Sequence, residues 1–162
     1  MRKLFAHLLS EVADTDPRTI LLTADLGYGV LDEFVDRHPD KFYNVGVAEQ
    51  AMIGAATGLA KEGFIPYAYS IGTFAAFRPF EFIRNGPIQH NLPVRIVGTG
   101  RDREYGHAGF SHWPENDVEV LLTMGLWCYV PKDDDALRRN FPIYHNSPHP
   151  LYLSLSRFDK PQ

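Results

Sequence analysis

Apolar positions Leu4, Phe5, Leu8, Leu9 and Val12 recur at helical spacing and predict an amphipathic helix at the start of the chain. The aliphatic run "TILLTAD" predicts a buried strand ending in Asp25, and "GVLDEFVDRHP" a helix stopped by Pro39. "FYNVGV" reads as a short strand and "AEQAMIGAATGLAKEG" as a helix closed by Gly63. "FIPYAYS" is strand-like, while "TFAAFRPFEFIRN" reads as a helix that Pro79 must kink or restart. The strand "VRIVGT" precedes a long stretch rich in Gly, His and charge, "GRDREYGHAGFSHWPEND". Then come a helix ("VEVLLTMG"), a strand ("LWCYVP"), a helix with an acidic first turn ("DDDALRRNFPIYHN") and a closing strand ("LYLSLS"). Strand and helix alternate throughout. That order predicts an α/β fold, a doubly wound and mainly parallel sheet with helices on both faces, with ligands at the strand ends. The 162 residues show no repeat or linker and suit a single domain, 1–162.

A formal net charge of −4 provides no field to attract nucleic acid or an anionic membrane surface. No apolar run has the length of a membrane span, and the acids within "MRKLFAHLLSEVADTD" interrupt what a signal peptide needs, so a soluble, cytoplasmic protein is expected. The 13% aromatic content suits a ligand pocket or a subunit contact as well as an ordinary core. Cys128, alone of its kind, falls in "GLWCYVP" and is expected to be an inert thiol in a buried strand.

Two features of the third helix stand out. Gly54 and Gly58, flanked by Ala51, Ala55, Ala56 and Ala60, leave one face almost without side chains. Each glycine costs about 1 kcal/mol relative to alanine in a helix, so a close approach by another backbone is expected, from its own sheet or from a partner. Glu49, at the mouth of the same helix, is either a solvated residue complementing the helix dipole or a working acid. Phe74, Phe77 and Phe80 form an aromatic series that fits a core stripe or a flat ligand. The spacings of His107, His112, Glu115 and Asp117 match no compact zinc pattern, and no metal site is assigned to this chain.

Four segments, "ADLG" at 24–27, "NVGVAEQAMIGAATGLA" at 44–60, "GTFAAFRPFEFIR" at 72–84 and "GFSHWPEND" at 109–117, resemble the pyrimidine-binding domain of the transketolase family of thiamine diphosphate enzymes. "LYLSLSR" at 151–157 resembles the strand closing that domain, so the resemblance spans essentially the whole chain. It places Glu49 at the position of the glutamate that hydrogen-bonds the cofactor's aminopyrimidine. The carboxyl there favours the imino tautomer, which deprotonates the thiazolium ring. Burial in an apolar pocket is expected to keep it protonated, against the opposing pull of the helix N-terminus. By the same resemblance Phe74, Phe77 and Phe80 flank or stack on the aminopyrimidine, with Phe74 and Phe77 the stronger candidates. Arg78 and Arg84 carry a weaker case and are expected to face solvent or an adjacent subunit. His112 falls at a substrate-contacting histidine and Arg157 at a phosphate-binding arginine.

Departures from the family pattern fall at the substrate end. Ala108 stands where sugar-phosphate transketolases carry an acid, and Gly100 where they carry a phosphate-holding histidine. His107, Arg101 and Arg103 are candidate replacements. The chain has no Gly-Asp-Gly with a distant Asn, the family's means of holding magnesium and the diphosphate, and no length for a further domain. The resemblance therefore implies half a site: a subunit or excised domain sharing thiamine diphosphate with a diphosphate-binding chain that holds Mg2+, in a heterotetramer or larger assembly, and inactive alone. Two-carbon ketol transfer from a ketose or 2-oxo donor is the implied reaction. The β subunit of a 2-oxo acid dehydrogenase, a deoxyxylulose phosphate synthase-like enzyme and a non-catalytic α/β binding partner stand as alternatives.

Overall fold

The computed structural model describes residues 1–158. Seven α-helices and six strands alternate along them: α1 (Arg2–Thr15), β1 (Thr19–Thr23), α2 (Asp32–Arg37), β2 (Phe42–Asn44), α3 (Glu49–Lys61), β3 (Ile65–Ile71), α4 (Gly72–Ala76), α5 (Phe80–Ile83), β4 (Arg95–Thr99), α6 (Asp117–Thr123), β5 (Trp127–Tyr129), α7 (Asp134–Asn146) and β6 (Leu151–Leu155). The strands form one sheet in the order β2-β1-β3-β4-β6-β5, and every pairing is parallel. The strand order reverses beside β1, where β2 lies to one side and β3 to the other. Open α/β sheets bind ligands at the carboxyl ends of strands near such a reversal.

Both sheet faces are covered, and for that reason the central strands read as continuous apolar runs. Alternate residues serve alternate layers. Leu21, Tyr67, Tyr69, Val97 and Leu153 pack with α1, α2 and α7 through Phe5, Leu9, Phe34 and Phe141. Ile20, Leu22, Ala68, Ile96 and Tyr152 pack with α3 to α6 through Met52, Ile53, Ala56, Ile83 and Leu121.

Local chemistry explains the element boundaries. Asp133 caps α7 by accepting a hydrogen bond from the Ala136 amide at 2.7 Å, and Asp134 and Asp135 complement the dipole in the first turn. Gly63 adopts φ +92° just beyond α3. Pro79 does restart a helix: it cannot donate to the preceding turn, so α4 ends at Ala76 and α5 begins at Phe80. A single π-helical turn, Arg84–Ile88, continues α5.

One expectation needs correction. The segment around Cys128 is an edge strand, because among the described residues β5 pairs only with β6, and its Trp127 is 74% exposed. Cys128 itself is half-buried, and burial pushes its thiol up to about 12, so it is inert as a nucleophile. The small-residue face of α3 has also been decided. Met52, Ile53 and Ala56 face the sheet, whereas Gly54 and Gly58 are exposed and a methyl group at either would meet nothing within 4 Å. The glycines do not serve packing on the chain's own sheet. No helix among the described residues is long and apolar enough to cross a membrane.

Candidate functional site

At the carboxyl ends of β3 and β4 several elements converge. The first residue of α3, Glu49, is 2% exposed. Ser70, near the end of β3 and fully buried, donates its hydroxyl to Glu49 Oε1 at 3.2 Å. Arg78, on the turn between α4 and α5, brings Nη1 to 2.9 Å from both Glu49 oxygens. The surroundings of this carboxyl are therefore polar and charge-paired, not apolar as expected. A guanidinium opposite a buried carboxylate compensates the desolvation that would otherwise exclude it.

The line of contacts continues from Arg78. Its guanidinium carbon lies 3.6 Å above the centre of the Phe74 ring on α4, a cation–π contact. The His112 ring meets Phe74 edge-on at 4.9 Å between centroids. His112 Nδ1 hydrogen-bonds the Ser111 hydroxyl at 2.9 Å, and its ring lies 6.1 Å from that of Tyr105. Arg157 stacks over the other side of the line, 4.8 Å from the Tyr105 ring centre, and its Nη1 donates to the Glu104 carbonyl at 3.3 Å. The Glu104 carboxylate in turn accepts from the Arg157 amide and from the Ser156 hydroxyl at 2.6 Å.

Two glycines allow the loop after β4 to lie this close. A Cβ on Gly72 would come within 2.8 Å of the Pro114 ring, so the start of α4 and the loop's end touch only because that residue has no side chain. Gly100 has φ +80°, and a Cβ there would meet the Tyr105 ring at 1.9 Å. The position where the family pattern carries a histidine is thus filled from above by Tyr105.

The structure brings Glu49, Phe74, His112 and Arg157 into one connected line. Other residues singled out in the sequence fall elsewhere. Phe77 packs against the core layer shared by α3 to α6. Phe80, half-buried at the start of α5, and His107, exposed on a 3-10 turn, stand outside the line among the described residues. Arg101 is turned inward to the Ser154 carbonyl at 3.1 Å, and Arg103 pairs with Glu115 at 2.7 Å while lying over the Trp113 ring. Neither is directed at the line as a replacement anion contact. Among the described residues no three His, Cys, Asp or Glu side chains gather as a metal site.

Arg78 is the main participant that sequence reasoning undervalued. The one available signal was its place just before Pro79, in the break of an aromatic-rich helix, and that signal does not reveal which carboxylate it meets. Ser70 was likewise hidden inside a strand.

The geometry fits a flat heterocycle. The planar guanidinium of Arg78 lies on the Phe74 face and hydrogen-bonds Glu49, so the partners suit a flat aminopyrimidine ring of the same shape in its place. Thr73 Oγ1 and Trp113 Nε1, next in sequence to Phe74 and His112, are buried without hydrogen-bond partners among the described residues. Polar atoms left so are commonly met by water or ligand.

Residues 1–161 match the transketolase pyrimidine-binding domain, and the chain belongs to that family. The family is thiamine diphosphate-dependent. A protein of Methanocaldococcus jannaschii named as a transketolase C-terminal section is 38% identical over 161 residues, covering 98% of this chain and 51% of that protein. A 6-deoxy-6-sulfo-D-fructose transketolase subunit of a Clostridium species is 33% identical over 159 residues, covering 97% and 49%. Among solved structures, a split-gene transketolase described as an inactive β4 tetramer superposes with a TM-score of 0.88 at 31% identity, covering 99% of this chain and 52% of that one. The chain spans about half the length of these relatives.

Proposed function

We propose that this chain acts as the pyrimidine-binding part of a split, thiamine diphosphate-dependent transketolase-like enzyme, catalysing two-carbon ketol transfer only together with a diphosphate-binding chain. The observation that carries the reading is the buried Glu49 carboxyl beside the Phe74 ring, with the Arg78 guanidinium lying on that ring and hydrogen-bonded to the carboxylate. The cofactor, when bound, supplies the nucleophilic carbon that adds to a ketose carbonyl. Glu49 would hold the aminopyrimidine by a hydrogen bond and would favour its more basic tautomer. Phe74 provides the flat apolar surface, and Phe77 and Phe80, further along the segment, stand as secondary cofactor contacts although neither touches the line among the described residues. His112, lying against Phe74 and Tyr105, is placed to hydrogen-bond a substrate hydroxyl or carbonyl. Arg157 supplies positive charge for an anionic substrate group. His107, exposed on the same loop, completes the proposed substrate contacts.

Mg2+ and the diphosphate are assigned to the partner, in an assembly of at least two chains of each kind. Support comes from the split organisation of the similar structure and from the partial coverage of each relative. The test is to combine the chain with its diphosphate-binding subunit, thiamine diphosphate and magnesium. Two-carbon transfer from a ketose is expected, with neither chain active alone. Release of carbon dioxide from 2-oxo acids without ketol transfer would replace this reading by a 2-oxo acid dehydrogenase type. No cofactor binding in the mixture would leave a non-catalytic partner.

A further inference from the structure

We infer that Arg78 is a gate: its guanidinium holds the place of the aminopyrimidine, and a ligand reaches Glu49 only when Arg78 swings out. The inference rests on the reading of Glu49 given above and adds a residue to it.

The guanidinium copies the features a bound aminopyrimidine needs. It is flat, it lies 3.6 Å over the Phe74 face, and it donates hydrogen bonds to both oxygens of a buried carboxylate at 2.9 Å. A ring that stacked on Phe74 while touching Glu49 would need the same volume, so the two cannot be present together. Arg78 also has a way out. Its side chain is 39% exposed, it sits on the turn at the Pro79 break, and Glu49 is its carboxylate partner among the described residues. A side chain on a helix break facing solvent rotates away without unpacking the core.

Arg78 therefore keeps Glu49 paired while the site waits. Its departure leaves a buried carboxyl whose oxygens need a new hydrogen-bonding partner, which the ligand supplies.

The experiment is a solution NMR titration of the 15N-labelled chain with 4-amino-2-methylpyrimidine. The Arg78 Nε–Hε signal, assigned by its loss in R78Q, is expected upfield under the Phe74 ring current, and F74L should abolish that shift. As the probe saturates, the signal should move to the position of a solvated arginine. R78Q should bind the probe about tenfold more tightly than the wild type. If the probe binds while the Arg78 signal stays under the ring, or if R78Q binds it equally or more weakly, the gate is wrong and the Glu49 reading stands. If the probe binds neither form, the gate falls, while the Glu49 reading is decided separately by E49Q in the assembled enzyme. The wild-type titration answers the question even if R78Q folds poorly.

Discussion

Two buried polar networks occupy opposite ends of the same sheet, and they are built differently. At the amino ends of the strands, Arg95 is fully buried and donates to the carbonyls of His149 (2.6 Å), His145 (2.9 Å) and Ser147 at the end of α7. Nearby, the Tyr67 hydroxyl meets His145 Nδ1 at 2.8 Å, and His145 Nε2 meets Asp16 at 3.1 Å. Arg18 grips Asp16 from the surface at 2.7 Å. Arg95, Tyr67 and His145, the central members of this network, are buried on β4, β3 and α7. At the carboxyl ends, Glu49 depends on Ser70 and on one half-exposed arginine beside a helix break. The first network locks α1, α7 and the sheet together. The second can be opened from solvent, as a site must be.

Electrostatics follow the same division. Hydrogen bonds from Arg18, opposed by burial, hold the Asp16 carboxyl well below the ordinary carboxylate range. Burial pushes His145 and Arg95 down from their ordinary values, and Arg95, still a cation, is met by carbonyls at and beyond the C-terminus of α7. Near the site, Asp117 is raised by burial although Tyr152 and the Val118 amide both donate to it.

The sharpest way to break the comparison is to mutate one end at a time. E49Q should reduce turnover of the assembled enzyme by about 10²–10⁴-fold, the usual worth of a proton-transfer group. Its denaturant midpoint should stay near the wild type, since glutamine still accepts from Ser70 and Arg78 can turn to water. A large loss of stability in E49Q would make the carboxyl end structural too. At the opposite end, R95M should cost about 3 kcal/mol in urea unfolding, because the His145 carbonyl of α7 loses its donor while buried and those of Ser147 and His149 lose theirs while partly buried. A cost below about 1 kcal/mol would show that the helix end finds other partners.

Smaller effects sharpen the picture. D16N should destabilise by about 1–2 kcal/mol at neutral pH. Because the folded-state value of Asp16 lies below the ordinary 3.8, its contribution is complete above that value and lost as pH falls through the folded one. The gap between wild type and D16N in thermal melts should therefore narrow only below about pH 4; a gap that narrows between pH 5 and 7 would implicate His145 instead. The smallest change is expected at the bare face of α3. G58A should stabilise the isolated chain by about 0.5–1 kcal/mol, since the new methyl meets no neighbour. Destabilisation of the isolated chain would mean that face packs against something of its own.

Much of the architecture was legible in the pattern of residues. Alternating runs such as "TILLTAD" and "VRIVGT" specify strands buried on both faces, and Pro79 specifies a break, because side-chain period and backbone sterics act locally. The edge position of β5 was not legible. "LWCYVP" is as apolar as a central strand, and only the strand order exposes Trp127. Glu49 was recognisable as an anomaly, and the family pattern supplied a role for it.

What the sequence determined by itself is therefore the set of elements, the layering of the core and the membership in a thiamine diphosphate-dependent family. Tertiary structure alone decided which charges meet. Arg78 and Glu49 lie 29 positions apart, and Arg95 and His149 54 positions apart. Local propensity carries no information over such separations. Their pairing depends on how strands line up, and on a desolvation cost that exists only once the core has closed.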